Sequence, residues 1–350
     1  MKKAFIGITL LSCIFFSCKK SSTNSSDNGG GGNTSDTIGT VYAAGYRYSS
    51  TTSKTIAAYW RGSTAVNLSD GTKDAAATGI TLAGNDVYVA GYEATGANTA
   101  MVKYWKNGTA VNLTDGTKSA KANALAVAGT DVFVAGSELN VAGKSVAKYW
   151  KNGTAVSLTD GTKNAYATGL FISGTDVYVT GYEYADATFN NAVAKYWKNG
   201  TAVNLTGATS NFTTSAITVS GADVYVTGTN YTSVGFNQAY WKNGAFSTLA
   251  ANSIAEINAV VINQGSVYVG GNDAGKAVYW KDGVKNALNN NASAIEHVTS
   301  IFVFAGKVYC GGYRDMFGAG NFVATVWAFG NSTDIHTVTK AQVNAIYVVN

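Results

Sequence analysis

Residues 78–113 contain one complete copy of the unit that decides the fold, TGITLAGNDVYVAG at 78–91 and MVKYWKNGTAVNL at 101–113. Four short runs rich in Val, Ile, Thr and aromatic residues make up this unit, as is typical of β-strands. Gly84-Asn85-Asp86 separates the first two runs and Asn107-Gly108 the last two, and such residues favour tight hairpin turns. The unit is therefore predicted to be a small antiparallel sheet of four strands.

The same unit recurs along the chain with a period close to 45 residues. One tryptophan marks the third strand of each copy: Trp60, Trp105, Trp150, Trp197, Trp241, Trp280 and Trp327. A Val-aromatic pair with a glycine three residues after the aromatic marks the second strand of each copy. Seven copies of a four-stranded unit predict an all-β fold, a seven-bladed β-propeller with four antiparallel strands per blade.

The two ends of the propeller are predicted to share one blade. Val41-Tyr42 aligns with the second strand of a unit, whereas residues 344–349 align with first strands such as 258–262. The C-terminal strand should therefore complete the blade that the N-terminal strands begin, which closes the ring and removes an open sheet edge. This assigns residues 37–350 to the propeller.

The composition excludes several other classes of protein. A chain with 40 glycines and no proline is neither collagen-like nor a proline-rich linker. With 46% hydrophobic and 13% charged residues it can bury a large core, so it is not globally disordered. A formal net charge of +5 over 350 residues is a weak field, and no nucleic-acid partner is expected.

The N-terminal segment has the pattern of an export signal, assigned to residues 1–17. Lys2 and Lys3 precede an apolar run at 4–16, shorter than the roughly 20 residues that span a bilayer. The Ser17-Cys18 junction resembles a bacterial lipoprotein signal, which implies lipid attachment at Cys18 and anchoring in the cell envelope, at the outer membrane facing the periplasm or the cell surface. An ordinary signal peptide cut elsewhere is the alternative. Residues 18–36 are rich in Gly, Ser and Asn and are predicted to be a flexible tether.

Three sets of residues at one end of the blades are candidate ligand contacts. The first is a polar rim two residues after the second-strand glycine: Arg47, Glu93, Glu138, Glu183, Asn230, Asp273 and Arg314. Next to it lie the lysines of three Asp-Gly-Thr-Lys segments: Lys73, Lys118 and Lys163. A charged or sugar ligand would suit this rim. The alternative interpretation pairs these lysines with the rim glutamates and treats Asp-Gly as a turn.

The second set comprises the tyrosines one residue after the same glycine: Tyr46, Tyr92, Tyr182 and Tyr313. They could stack on sugar rings or peptide side chains, or pack between blades. The third set is a ring of short polar side chains in the first strands, predicted to lie at one mouth of the axial channel: Thr78, Asn123, Thr168, Ser215, Asn258, Thr299 and Asn344. Channel water and hydrogen bonds between blades are the alternative explanation for this ring.

Catalytic motifs are missing from the sequence. His297 and His336 are its only histidines and have no metal-ligand spacing, and no nucleophile elbow, phosphate loop or dinucleotide fingerprint occurs. No cofactor or metal is therefore expected. Glu93, Glu138 and Glu183 share one face, which leaves a two-carboxylate glycosidase open. Three equivalent carboxylates in a repeat, however, indicate duplication rather than a differentiated acid and base.

The repeat resembles that of seven-bladed β-propeller lipoproteins of Bacteroidota over residues 37–350. Gly270-Gly271 and Gly311-Gly312 are similar to the glycine pairs of kelch blades, although kelch Tyr and Trp are not adjacent as they are here. Function does not follow from this fold. The expectation is a monomeric, non-catalytic binding module for a glycan or protein ligand on the loop-rich face. A carboxylate-dependent hydrolase acting on polysaccharide and a purely structural envelope or adhesion protein are the alternatives.

Overall fold

The computed structural model describes residues 39–186, 191–233, 235–250, 255–288, 294–316, 321–336 and 340–350. These residues form seven antiparallel sheets of four strands each, which confirms the predicted seven-bladed β-propeller. Among them no helix is long and apolar enough to cross a membrane. The predicted signal segment, Cys18 and the tether lie outside the described residues.

Each blade contributes one strand to each of four positions, counted from the axis outwards. The inner strands are β4 (Ala75–Ala83), β8 (Ala120–Ala128), β12 (Ala165–Ser173), β16 (Phe212–Ser220), β20 (Glu256–Asn263), β24 (Ala294–Phe304) and β28 (Ala341–Val349). The second strands are β1 (Thr40–Ser49), β5 (Asp86–Ala94), β9 (Asp131–Leu139), β13 (Asp176–Tyr184), β17 (Asp223–Thr232), β21 (Ser266–Asp273) and β25 (Lys307–Met316). The third strands are β2 (Lys54–Arg61), β6 (Ala100–Lys106), β10 (Ser145–Lys151), β14 (Ala192–Lys198), β18 (Gly235–Lys242), β22 (Lys276–Lys281) and β26 (Phe322–Ala328). The outer strands are β3 (Thr64–Asn67), β7 (Thr109–Asn112), β11 (Thr154–Ser157), β15 (Thr201–Asn204), β19 (Ala245–Ala250), β23 (Val284–Ala287) and β27 (Asn331–Asp334).

Blade 1 is built from both ends of the propeller, as predicted. Its strand order is β28-β1-β2-β3, and β28 pairs antiparallel with β1 so that Val41 lies opposite Val348. Blades 2 to 7 follow in chain order, from β4–β7 to β24–β27. Contacts of β28 with β24 and with β4 join blade 1 to blades 7 and 2, so the ring is closed.

The core consists of apolar layers between neighbouring blades, with one tryptophan in each. All seven tryptophans are at most 3% exposed. Trp105 of blade 2, for example, packs in one cluster with Tyr42 of blade 1. A tyrosine precedes six of the seven tryptophans, and alternation along the strand predicts that it is buried on the opposite face of the blade, which was wrong in degree. Tyr104 is only half-buried, because its cross-strand neighbour Val111 on the outer strand is itself exposed.

The predicted Asn-Gly turns are confirmed in the third hairpin position. Asn107 and Gly108 have φ values of 50° and 84°, the positive pair that a type I′ turn requires. The Asn107 side chain accepts a hydrogen bond from the backbone N–H of Val87 at 2.9 Å and donates one to Asp86 at 2.7 Å. The turn residue therefore also ties the third strand to the start of the second.

All seven inner strands have a β-bulge at the same position, next to the axis. In blade 2 the register shifts between Ala77 and Gly79, so Thr78 is the extra residue. The bulge brings the carbonyl oxygen of Ala76 so close to the second strand that a Cβ on Gly91 would lie 2.1 Å from it. This close approach explains why a glycine recurs three residues after the second-strand aromatic in every unit.

Candidate functional site

The inner strands enclose a cavity of about 990 Å³ on the propeller axis, which we call the axial funnel. Most of its lining is polar or aromatic, and the aliphatic side chains in it are Ala76, Ala120 and Leu139. Two of the three predicted sets line the funnel, the four tyrosines and the axial ring. The rim residues, in contrast, lie elsewhere.

The axial ring consists of the seven bulged residues, and hydrogen bonds between blades engage several of them. Asn123 of blade 3 donates its side-chain N–H to the carbonyl oxygen of Ala167 in blade 4 at 2.7 Å. Asn344 of blade 1 does the same to Ala77 in blade 2, also at 2.7 Å. A bulge leaves backbone carbonyls without a ladder partner, and these side chains satisfy them. This geometry supports the structural interpretation of the ring.

The four tyrosines Tyr46, Tyr92, Tyr182 and Tyr313 are half-buried and line the funnel, as the ligand-contact interpretation requires. Burial raises the pKa of each phenol above its ordinary value, to about 12 for Tyr313. Every one of these hydroxyls is therefore protonated at neutral pH. Each can both donate and accept a hydrogen bond at the funnel mouth.

A further ring of side chains, which the sequence analysis missed, lies opposite the tyrosine positions. It occupies the inner strand two residues before each bulged residue: Ala76, Lys121, Tyr166, Thr213, Glu256, His297 and Gln342. All except Thr213 line the funnel. The column of the third-strand tryptophan and that of the second-strand glycine keep one residue type, whereas this column has a different residue in every blade. Aligning the seven copies for their least uniform column near the axis would have found it.

Cross-strand contacts hold several of these side chains in place. The Tyr46 hydroxyl donates to Gln342 Oε1 at 2.9 Å in blade 1. In blade 4 the rings of Tyr166 and Tyr182 lie 5.3 Å apart, centroid to centroid, and Tyr184 packs edge-on against Tyr182 at 5.7 Å. Blade 4 therefore presents an aromatic wall to the funnel.

Blades 6 and 7 together form a polar cluster at the mouth. The imidazole of His297 stacks on Tyr313 with ring centroids 4.6 Å apart, and its Nδ1 lies 3.3 Å from Glu256 Oε2. Asn272, which is 3% exposed, lies directly opposite Glu256 on the neighbouring strand. The hydrogen bond to His297 is the largest cause of the lowered pKa of Glu256. Glu256 is thus an ionised carboxylate at neutral pH, half-exposed to the funnel.

The predicted polar rim faces the third and outer strands of its own blades, away from the funnel. Ion pairs join Glu93 to Lys103 at 3.0 Å, Glu138 to Lys148 at 2.5 Å, Glu183 to Lys195 at 2.6 Å, Asp273 to Lys285 at 2.8 Å and Arg314 to Asp334. Arg47 donates to Asn67 at 2.8 Å, and Asn230 is half-buried opposite Asn237. Arg314 and Arg47 each have a polar partner in their own blade and therefore do not form a free basic patch.

The Asp-Gly-Thr-Lys segments are local turns, as the structural interpretation proposed. Asp70 accepts hydrogen bonds from the backbone N–H of Thr72 at 2.8 Å and from its hydroxyl at 2.7 Å, which lowers the pKa of Asp70. That interpretation was wrong about the lysines. The rim glutamates pair with third-strand lysines and not with Lys73, Lys118 or Lys163, because the third strand is the hydrogen-bonded neighbour of the strand that carries them.

Other reactive groups in the described part of the chain do not form a site. Within these ranges no three His, Cys, Asp or Glu side chains come together as metal ligands. Cys310 is fully buried, and burial raises the pKa of its thiol, so it is not a poised nucleophile. The carboxylates that left a glycosidase open, Glu93, Glu138 and Glu183, do not line the funnel.

No protein-family model and no curated protein matches this chain. Solved structures of similar fold include the β-propeller domain of the Trilobed protease from Pyrococcus furiosus, at 10% identity and a TM-score of 0.53, over 87% of this chain and 94% of that one. A puromycin-hydrolyzing peptidase of Mycobacterium tuberculosis matches at 9% identity and a TM-score of 0.56, over 84% of this chain and 53% of that one. An acylaminoacyl peptidase of Pyrococcus horikoshii matches at 10% identity and a TM-score of 0.52, over 86% of this chain and 52% of that one.

These similarities show a propeller like those found in peptidases, and at 9–10% identity they show the fold alone. This chain spans about half the length of the last two peptidases. The Pyrococcus furiosus propeller has an open velcro topology, whereas here β28 pairs with β1 and closes the ring.

Proposed function

We propose that the protein is a non-catalytic binding module that takes the end of a glycan into the axial funnel. The observation that carries this proposal is the differentiated ring at the funnel mouth. The seven blades are near copies of one unit, yet at this position they present Lys121, Tyr166, Glu256, His297 and Gln342. Such differences between blades allow an asymmetric ligand on the axis to bind in one orientation rather than in several equivalent ones.

The chemistry of the lining favours a sugar over an apolar peptide side chain. Tyrosine rings such as Tyr92 and Tyr182 offer apolar faces, and sugar rings stack on such faces while their hydroxyls remain hydrogen-bonded. Amide, carboxylate and hydroxyl groups surround the rings, whereas large aliphatic side chains are nearly missing from the described lining. The funnel is also large enough for a ligand of several sugar units, since ligand pockets commonly measure about 300–1,000 Å³.

The alternatives have less support at this site. Glu256 is the carboxylate in the described lining, and His297 contacts it at 3.3 Å. A glycosidase with two carboxyl groups flanking the scissile bond therefore lacks a second one here. A purely structural protein would gain nothing from a mouth that differs in every blade.

The decisive variant is Tyr182→Ala in the full chain, tested by calorimetric titration with a panel of oligosaccharides. We expect at least one oligosaccharide to bind, and the variant to weaken its binding about tenfold, the loss typical of removing one well-packed aromatic contact. Tyr196→Ala is the matched control, because Tyr196 is a half-buried tyrosine of the same blade that does not line the funnel. It should leave the dissociation constant unchanged.

Two outcomes would contradict the proposal. One is that no oligosaccharide in the panel binds. The other is that Tyr182→Ala and Tyr196→Ala bind the sugar equally well, which would place the binding surface away from the funnel. Glu138→Ala gives a further check, since its carboxylate pairs with Lys148 and should not affect the sugar.

We also infer that the protein is exported and anchored in the cell envelope through a lipid on Cys18. The support is the sequence pattern of residues 1–18, with two lysines, a short apolar run and a small residue before the cysteine. Cys18→Ser is expected to move the processed protein from the membrane fraction to the soluble fraction of its native cells, because the acyl chains that would anchor it are lost. An unchanged membrane fraction in the Cys18→Ser strain would refute lipidation, and Cys13→Ser serves as the matched control.

A further inference from the structure

Blade 3 lacks a tyrosine at the funnel mouth. Four blades carry a tyrosine at this second-strand position, whereas blades 3, 5 and 6 carry Ser137, Thr229 and Asn272, so in blade 3 a small side chain lines the funnel here. Opposite Ser137 lies Lys121, whose side chain is exposed and lines the funnel. Among the described residues none forms an ion pair with its ammonium group. Lys121 is therefore a cation that faces the cavity with room beside it.

A second cavity lies next to the funnel, between blades 2 and 3. It has a volume of about 480 Å³ and is lined by residues 94 and 96–100 of blade 2 together with Ser119 and Leu139 of blade 3. Ser119 and Leu139 also line the axial funnel. The second cavity is therefore next to the funnel, separated from it by these two side chains, and lies where an elongated ligand seated in the funnel could extend between blades 2 and 3.

The charges across the mouth are separated. Lys121 belongs to blade 3, whereas Glu256 belongs to blade 6 and His297 to blade 7. Around the closed ring, blade 6 is three blades away in one direction and blade 7 is three blades away in the other. Glu256 is already engaged by His297 at 3.3 Å. The ammonium group of Lys121 would therefore attract an anionic group placed beside it. The carboxylate of Glu256, which would repel that group, lies on the far side of the axis.

We propose that the ligand is an acidic oligosaccharide, a chain of hexuronate units with one carboxylate at Lys121 and the chain leaving the funnel past Ser119 and Leu139. This inference rests on the proposed glycan function. Ser137 lies opposite the lysine, and Ser119 and Ser145 also line the funnel, so this part of the lining offers hydroxyls that suit sugar hydroxyls. An acidic peptide would meet the same cation, but the funnel beside it offers tyrosine rings and hydroxyls rather than large aliphatic side chains, Leu139 excepted.

The experiment compares a hexauronate with the same hexasaccharide after its carboxyl groups are reduced to alcohols, by titration into the full chain. Lys121→Met is expected to weaken hexauronate binding about tenfold and to flatten its salt dependence, the scale of one charge-assisted hydrogen bond. Lys121→Arg should retain most of the affinity. Lys118→Met, a lysine three residues earlier that does not line either cavity, is the control. The reduced sugar should bind more weakly and respond to none of these variants.

The possible results separate this inference from the function on which it rests. Equal binding of both sugars, unaffected by Lys121→Met but weakened by Tyr182→Ala, would overturn the acidic ligand and leave glycan binding standing. Binding of neither sugar would overturn both. Lys121-dependent binding of a hexaglutamate peptide without binding of any sugar would also overturn the inference. Leu139→Trp tests whether the chain leaves the funnel past Leu139. This variant should weaken the binding of the hexauronate several-fold and leave the binding of a diuronate unchanged, because the shorter sugar does not reach Leu139.

Discussion

Removal of β28 by ending the chain after Lys340 is expected to abolish cooperative unfolding. Val343, Ile346 and Val348 of this strand are at most 5% exposed and belong to the cluster between blades 1 and 7. Burying each contributes about 1.5–3 kcal/mol, and together they approach the net stability of a whole domain, about 5–15 kcal/mol. The loss would also expose the long edge of β1.

Scanning calorimetry and circular dichroism of the full-length and truncated chains would measure this effect. The control is a chain that ends after Val349, because Asn350 is exposed and lies outside the strand. If the chain without β28 melts in a single transition at the temperature of the control, the C-terminal strand does not close the ring in solution.

Trp105→Ala is expected to lower the free energy of unfolding by about 3–5 kcal/mol, as typical for removing a fully buried large aromatic side chain. Trp105 is 1% exposed and packs against the neighbouring blade. Its strand is hydrogen-bonded to a neighbouring strand on each side, so the cavity that the substitution leaves cannot collapse easily. Denaturant titration followed by circular dichroism would give the difference from the unmodified chain.

Tyr104→Ala is the matched control for this prediction. Tyr104 is adjacent in the same strand but only half-buried, so its removal should cost clearly less than the loss of Trp105. Equal losses for the two variants would mean that the two faces of the blade are equally well packed, against the structure.

The fold was predictable because its determinants are local and repeated seven times. Asn107-Gly108 has the two positive φ angles expected from the dipeptide alone, and the same holds for its copies. The seven regularly spaced tryptophans predicted seven blades, and the partial units at the two ends predicted the pairing of β1 with β28. The burial of Tyr104 was overestimated because alternation along a strand reports which face a residue occupies and not how completely the next strand covers it.

The site was predictable only in part. The tyrosines and the axial ring both line the funnel and both stand at fixed positions in the repeat, but the sequence left open whether the tyrosines face a ligand or pack between blades. The structural interpretation paired Glu138 with the wrong lysine, because cross-strand neighbours depend on the register of the strands and not on separation along the chain. The Lys121 and Glu256 ring went unnoticed because repeat analysis emphasises columns that agree.

By itself, the sequence determined the number of blades, the four strands in each and the way the ring closes, because hairpin turns and the alternation of apolar residues act over a few residues. Only the tertiary structure decided which side chains share the funnel. The bulge at Thr78 and its copies turns the preceding inner-strand residues toward the axis and forces a glycine such as Gly91 on the facing strand. Residues as distant in sequence as Lys121 and His297 come to line one cavity because seven inner strands converge there, and no local rule specifies that convergence.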